Sequence, residues 1–445
     1  MKAGFSKICI NPPLGAPIVG YYEQRRVKGI HDDLFVRAVA FDDGENRALV
    51  IAVDVCFLTM RYYDACKKAI KEATGVCEEA VFINCSHIHT GPLIGKDFAS
   101  DAASSEEYDA FFVSCVADAA VAALADLHEA TIETAATEAK NVSFIRRYRM
   151  KDGTVQTNPG VYNPNIDHAL GTPNETVKVV KIKRTDADDI AIVNFGTHPD
   201  SVGGEYISAD YMGYVCDIME AAVPGTKCMF VLGPQGDVNH VNVHPTEAEA
   251  AISTIDFDGV PRSNAHAEHM GRVIAGAALS VYSVTEEIEI DKLRWAYAKV
   301  VLPSHRENHR LEEAREIHRL YAAGRAAELP YKEMELTTVV AEAERILRLE
   351  HGPESFDFFL SAVKLGDLVF AGIGGEPFTE IGNRICAASP FKTTVLCCLT
   401  NSEGGYIPTS TAYAEGGYEA KSSSLKPGGD DIIVAGMTEL LTKLK

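Results

Sequence analysis

Short unbroken apolar runs alternate along this chain with longer stretches in which apolar residues recur every third or fourth position. RALVIAVDVCFLT (47–59) is almost wholly apolar, the pattern of a strand covered on both faces. RYYDACKKAIKEATG (61–75) has helical spacing and closes on Gly75. AVFINCSHIHTGP (80–92) reads as a second buried strand ending in a Gly-Pro loop, and EEYDAFFVSCVADAAVAALADL (106–127) as a long, alanine-rich helix. This is the grammar of an α/β fold. VKVVKIK (177–183), IAIVNFGTHP (190–199) and KCMFVLGPQGDVNH (227–240) predict further strands, with helices from Asp210 to Ala222 and from Ala265 to Tyr282.

Other segments have a different texture. Residues 129–150 read as a β segment ending in the basic cluster FIRRYRM, and 150–176 as a loop rich in Gly, Pro and Asn. That loop exceeds the ~12–15 residues usual for a structureless connection, and long loops are often functional. From His305 to Leu349 the chain is charged and helical, which predicts a helical hairpin projecting from the core with solvated faces. FDFFLSAVKLGDLVFAGIGGEPF, FKTTVLCCLTNSEGGYIP and a final short helix complete the pattern. No internal repeat or clean linker interrupts it. The expectation is one α/β domain over residues 1–445, a large mixed β-sheet core flanked by helices, with the projecting helical segment near 305–349.

Composition narrows the function classes. Lys and Arg number 42 against 63 Asp and Glu, a net charge of −21. This opposes broad nucleic-acid binding, which needs a basic stripe, and docking on anionic lipid. The N-terminal MKAGFSKICINPPLGAPIVG lacks the apolar run of a signal peptide, and no stretch reaches the ~18–20 apolar residues of a spanning helix. The 11 cysteines are irregularly spaced, mostly in apolar segments and without a CxxC pair. They read as small buried hydrophobes in a reducing compartment, so a cytoplasmic protein is expected.

The chemistry gathers at strand ends. VFINC leads into Ser86-His87-Ile88-His89, IAIVNFGT into His198-Pro199-Asp200-Ser201, MFVLGPQG into Asp237-Val238-Asn239-His240, and DLVFAGIGG into Glu376. Open α/β sheets build sites this way, at the carboxyl edge of their strands. An H-x-H pair on extended backbone puts His87 and His89 on one side. Both then ligate one metal, or one ligates while the other serves as base or hydrogen-bond donor beside it. Two histidines and a carboxylate form the usual ligand set of a catalytic zinc. His198 and Glu376 supply the remainder.

The other histidines have plainer readings. His305, His309 and His318 lie in a charged helix without an H-E-x-x-H motif, and His266 and His269 read as structural. His240 and His244 flank a loop beside the site. The Gly-Gly-Tyr segments at Tyr406 and Tyr418 read as surface loops with a tucked ring. No G-x-S-x-G elbow, P-loop or dinucleotide fingerprint is present.

These motifs resemble those of the neutral/alkaline non-lysosomal ceramidases, zinc-dependent amidases that cut N-acyl bonds. The family motif H-T-H-S-G-P is similar to His87-Ile88-His89-Thr90-Gly91-Pro92. An F-x-x-H context matches Phe195 to His198, a G-E loop matches Gly375-Glu376-Pro377-Phe378, and tyrosine segments match Tyr406 to Thr409 and Tyr418 to Ser422. The resemblance implies His87, His198, Glu376 and Tyr406 as zinc ligands and His89 as the residue assisting catalysis. It implies Tyr418 as a substrate contact and Arg146 as a reader of the reacting amide. Where the family has a serine, this chain has Asn239, an amide that can donate a hydrogen bond to an oxyanion but cannot act as a nucleophile. Ile145 stands where the family has an asparagine before Arg146. No immunoglobulin-like C-terminal domain of the kind the family carries is expected.

The resulting expectation is a zinc hydrolase, Zn2+ its cofactor, cleaving the linear amide of a small or soluble N-acyl compound. No nucleic acid and no stable membrane association are expected, and a homo-oligomer is compatible with the sequence. Two alternatives remain open: an amidohydrolase on a (β/α)₈ barrel, which also opens with H-x-H, and a non-catalytic relative that keeps the fold as a binding module.

Overall fold

The computed structural model describes residues 1–96, 102–307 and 309–445. Among these residues the centre is a nine-stranded sheet. Its strands are β1 (Lys2–Cys9), β2 (Phe35–Asp42), β3 (Arg47–Val53), β4 (Val81–Cys85), β5 (His128–Glu138), β6 (Thr176–Arg184), β7 (Asp189–Phe195), β8 (Thr226–Leu232) and β9 (Glu286–Ile288). They lie in the order β8-β7-β6-β5-β1-β2-β3-β4, with β9 pairing to β5. The outer pairs β8–β7 and β3–β4 are parallel, and the inner neighbours are antiparallel. This mixed ladder excludes the (β/α)₈ alternative, whose strands are all parallel.

Side-chain alternation builds the layers. On one side Ser6 Oγ donates to the Ala119 carbonyl at 2.7 Å, facing α2 (Glu106–Ala125). Helices α1 (Met60–Thr74), α3 (Asp210–Ala222) and α4 (Asn264–Val281) complete the helices of this half, α3 on β8 and α4 on β5 and β6. On the other side Phe41 and Phe82 meet Phe370, at ring-centroid distances of 6.4 and 6.3 Å. Phe370 belongs to a second, four-stranded sheet of β10 (Leu293–Pro303), β11 (Ser355–Leu365), β12 (Leu368–Ile373) and β13 (Thr393–Cys397). Strands β3 and β4 are therefore covered on both faces, which is why they are almost wholly apolar.

Between β10 and β11 the chain forms α5 (Leu311–Ala322) and α6 (Glu333–Leu349), while α7 (Thr379–Ala388) and α8 (Gly429–Leu444) cover the outer face of the second sheet. The hairpin is antiparallel, as the pairs Arg315–Glu350 and His318–Glu344 show. Its inner face is not solvated as expected. Ala314, Ile317, Val340, Ala343 and Ile346 pack with Tyr22, and Arg345, 1% exposed, donates to the Lys421 and His305 carbonyls at 2.7 and 2.8 Å. The hairpin is fastened over the segment that carries Tyr418.

Three further differences from the sequence reading have physical causes. The 150–176 stretch is not structureless: Val155–Thr157 and Ile166–Ala169 flank Arg147–Met150 in a small sheet. Strands β1, β2 and β10 do not stand out in the polarity pattern, because charged residues such as Lys2, Arg37 and Lys299 interrupt them. Helix α2 is long and apolar enough to cross a membrane by length and composition, although Phe112, Val116, Ala119 and Ala120 are fully buried.

Candidate active site

The two ends of the large sheet's strand order come together, because the sheet curls until β4 and β8 nearly meet. Asn84, the single amide in the apolar strand VFINC, makes that closure. Its Oδ1 accepts the Leu232 amide hydrogen at 2.9 Å, and its Nδ2 donates to the Cys398 carbonyl at 2.6 Å. Asn194 plays the same part from β7, donating to the Val231 and Leu396 carbonyls at 3.0 and 3.2 Å. Both amides are buried. They tie together the strand ends whose following loops carry His87, His198, Gln235 and Tyr406.

Two glycines permit the tight convergence of the next loops. A Cβ on Gly236 would sit 2.3 Å from the Glu376 carbonyl oxygen, so only glycine lets these backbones touch. Gly375 holds φ +63°, and a Cβ there would lie 2.5 Å from the Gly405 carbonyl oxygen. Beyond them Glu376 and Tyr406 are direct partners in a short parallel pairing. His87 itself holds φ 62°, a left-handed conformation uncommon for a non-glycine residue and typical of a constrained functional position.

The three predicted imidazoles meet here. His87, His198 and Glu376 present ligand atoms all within 4.8 Å of one another, and all are buried. The same distance holds for Cys56, His87 and His89. His87 Nδ1 meets the Cys56 carbonyl at 2.8 Å, and His198 Nδ1 meets Gln235 Oε1 with Glu376 Oε2 3.7 Å away; His89 Nδ1 lies 3.5 Å from Asp200 Oδ1 without a hydrogen bond. The Nε2 atoms turn inward, His87 Nε2 lying 3.1 Å from Glu376 Oε2 and His89 Nε2 3.1 Å from His198 Nε2.

Electrostatics fit a cation at this point. Burial works against a charge on His87, but Glu376 overrides it and raises the imidazole well above its ordinary value. Burial likewise opposes ionisation of Glu376, yet His87, with Arg146 behind it, keeps the carboxylate pKa low. Burial, with Arg146 and the other two histidines, drives His198 far below the ordinary value. Burial also takes His89 down to about 3, against the pull of Asp200. His87 Nε2 is buried without a well-aligned hydrogen bond, which suits a donor atom reserved for a metal. The imidazoles of His87 and His198 and the carboxylate of Glu376 match the donor types that divalent zinc takes.

Residues 4–253 match the model of the neutral/alkaline non-lysosomal ceramidase N-terminal domain. The chain belongs to this family. Its fold is similar to that of neutral ceramidase from Pseudomonas aeruginosa, with a TM-score of 0.74 and 17% identity over 100% of this chain and 74% of that one. A ceramidase complexed with C2 gives a TM-score of 0.73 and 16% identity, covering 100% and 75% of the two chains.

Around the imidazoles of this ceramidase-family protein stand the remaining predicted residues. The Tyr406 ring stacks on His198 at 6.3 Å and hydrogen-bonds Arg146, whose guanidinium lies 5.1 Å from the ring centroid. Arg146 Nη2 donates to the Gly236 carbonyl at 2.8 Å and pairs with Glu419 at 2.7 Å. Tyr418 packs on Tyr406 at 5.4 Å and shares a hydrogen bond with Tyr22. Asn239 has other work: its Nδ2 donates to Asn158 Oδ1 at 2.9 Å and its Oδ1 accepts from the Val241 amide at 3.0 Å. One amide hydrogen of Asn239 is thus spent on a neighbouring loop.

Sequence reading passed over Gln235, Glu419 and Tyr22. Gln235, fully buried, receives His198 Nδ1 on its Oε1 and donates from Nε2 to Glu376 Oε2 at 3.2 Å. The signal available was an amide flanked by glycines and a proline at a strand end, GPQG. Glu419, fully buried, had only its place after Tyr418 to mark it.

Proposed function

We propose that this protein is a metal-dependent hydrolase of linear amide bonds, with zinc as the ion. The observation that carries the reading is the meeting of His87, His198 and Glu376 in one small buried space, with the His87 and His198 imidazoles each held from behind by an oxygen acceptor. His87, His198 and Glu376 would hold the ion, with Tyr406 beside Glu376 as the fourth ligand. When bound there, a divalent ion polarises a carbonyl and lowers the pKa of a water to about 7.

The protein's own groups do the rest. His89 takes up, on Nε2, the proton released as water adds to the scissile carbonyl, and returns it to the departing nitrogen, so that an amide and water give a carboxylate and an amine. Arg146 holds the Tyr406 phenol and places positive charge beside the developing oxyanion, with Tyr418 as a second donor. Tyr22 and the α5–α6 hairpin close the space above Tyr418. The substrate we propose is a small or soluble N-acyl compound, acted on in the cytoplasm.

The test is ion content by mass spectrometry on chelator-free protein, followed by assay of N-acyl amino acids and short-chain ceramides with the ion restored. His87→Ala is expected to lose both the ion and turnover. A full equivalent of ion together with normal turnover in that variant would refute the site.

A further inference from the structure

Arg348 stands in the last turn of α6, three residues after Arg345 and so on a neighbouring part of the same helix face. Arg345 is spent on the Lys421 and His305 carbonyls. Arg348 turns to a different neighbourhood, and its charge is felt by Tyr22, Glu344 and Glu403. Tyr22 packs into the apolar stripe of the hairpin and shares a hydrogen bond with Tyr418, which packs on Tyr406 at 5.4 Å. Glu403 lies three residues before Tyr406 in the same loop, and Tyr21, next to Tyr22, meets the His89 ring edge-on at 5.2 Å. The guanidinium thus stands where the segments carrying Tyr21, Tyr406 and Tyr418 meet the hairpin, at the mouth of the site.

Arg348 is exposed, whereas Arg345 is buried. Protein nevertheless crowds the Arg348 guanidinium, and burial lowers its pKa from the ordinary value, with Tyr22 and Glu344 pulling the other way. At Arg262 the balance is reversed: burial is outweighed by Asp200, and the pKa stands well above the ordinary value. The two carboxylates near Arg348 also have other duties. Glu344 receives a hydrogen bond from His318 Nδ1, and Glu403 Oε2 accepts the Met60 amide hydrogen at 3.1 Å. A charge that solvent can reach but water cannot fully surround gains most from an incoming anion.

We propose that Arg348 reads the substrate: it receives a carboxylate carried by the N-acyl compound, one phenol beyond the Tyr418 hydroxyl that meets the reacting amide. This names the substrate class within the amide-hydrolase reading and rests on that reading for what is cut. The carboxylate belongs to one half or the other: to the amine, as in an N-acyl amino acid, or to the far end of the acyl group, as in the monoamide of a dicarboxylic acid. A guanidinium meets a carboxylate through paired, charge-assisted hydrogen bonds, which neither an alcohol nor a hydrocarbon tail can return.

The test uses ion-restored full-length protein and two matched pairs of substrates. One pair starts from an N-acetyl amino acid and the other from a succinic acid monoamide; in each, the second member has a hydroxymethyl group in place of the carboxylate. In one pair the acid is expected to lead its neutral partner by about tenfold or more in kcat/KM, through KM. Arg348→Met, which keeps an apolar stem, is expected to remove most of that lead, a loss of about 10–100-fold for the acid, and Arg348→Lys to restore part of it. The pair that responds says which half carries the carboxylate. Neutral partners cleaved as well as the acids in both pairs, or a lead that survives in Arg348→Met, would overturn the proposal. Calorimetric titration of ion-free protein with the same acids reads recognition without chemistry. Binding is expected in the wild type and is expected to be weaker by a similar factor in Arg348→Met, and equal binding in the two proteins would overturn the subsite. If the ion-loaded wild type cleaves no N-acyl compound but this difference in binding holds, the amide-hydrolase reading fails and the anion subsite stands.

Discussion

Asn84 Oδ1 accepts the Leu232 amide hydrogen at 2.9 Å, joining β4 to β8 although these strands stand at opposite ends of the sheet order. One buried amide thus determines whether His87 and Gln235, carried on the loops that follow, arrive at the same place. Replacing it with alanine leaves the Leu232 N–H without its partner and takes from the Cys398 carbonyl one of its two donors, the Thr400 hydroxyl at 2.8 Å remaining. At ~1–3 kcal/mol for the orphaned N–H, Asn84→Ala is expected to lower the urea midpoint and to weaken ion binding as well. A variant that unfolds at the wild-type midpoint would show that the clamp carries no load.

Gln235 touches two proposed ligands at once, and its loss should be felt at the ion before it is felt in the fold. Gln235→Leu fills similar space but can neither accept from His198 nor donate to Glu376. Ion affinity is expected to fall about 10–100-fold, read by competition with a chromogenic chelator, while the thermal midpoint of ion-free protein changes little. Unchanged affinity would mean that His198 is oriented by something else.

Gly236 tolerates no side chain. Its Cβ would lie 2.3 Å from a backbone oxygen rather than from a flexible side chain, so Gly236→Ala must move the Glu376 loop. Overpacking of this sort costs ~1–3 kcal/mol, and the displaced carboxylate should reduce bound ion measured by mass spectrometry. Full occupancy in this variant would place Glu376 outside the ligand set.

Stability should depend on pH through two histidines away from the centre. Burial takes His240 down to about 4 and His266 down to about 3, and their rings lie 5.1 Å apart. Both stay neutral in the folded protein, whereas in the unfolded chain they take up protons near pH ~6.5. The unfolded state therefore binds more protons below that pH. The stabilisation is complete above about 6.5 and is lost as the pH falls through about 4 for His240 and about 3 for His266, at ~1.4 kcal/mol per pH unit for each titrating histidine. Urea midpoints across that range should decline, and His266→Gln should decline less steeply. Parallel slopes for the two proteins would contradict the assignment.

Ion removal is the broadest check. A ligand bound only to the folded state adds stability in proportion to the logarithm of its concentration over its Kd. Chelation is expected to lower the thermal midpoint, and one equivalent of zinc to restore it. In Glu376→Gln the midpoint should no longer respond to either treatment.

Several of these residues announce themselves in the linear chain. Apolar runs that end in His87-Ile88-His89, His198 and Glu376 state both that the strands are buried and that ligands wait at their ends, because a strand covered on both faces has no use for such groups until it leaves the sheet. The motifs around them also carry the family. Gln235, Asn84 and Asn194 were equally visible as letters, yet nothing in their spacing says which groups, more than a hundred residues away in some cases, they will meet. Asn239 shows the opposite case: a position marked by its motif whose amide is occupied by Asn158, a residue of the loop the sequence left without structure. The α5–α6 hairpin read as charged and solvated because most of its surface is. Its inner stripe and Arg345 gain meaning only once Tyr22 and Lys421 are beneath them.

What the chain determined alone is local: where strands begin and end, which residues can bind a metal, and which glycines and amides stand between them. Those follow from periodicity and from the chemistry of each side chain. Tertiary structure decided which of those groups share one small space and which oxygen lies behind each imidazole. The reason is that tautomer, charge and ligand set depend on distances of a few ångströms between segments far apart in sequence, and only the curl of the large sheet, closed by Asn84 and Asn194, sets those distances.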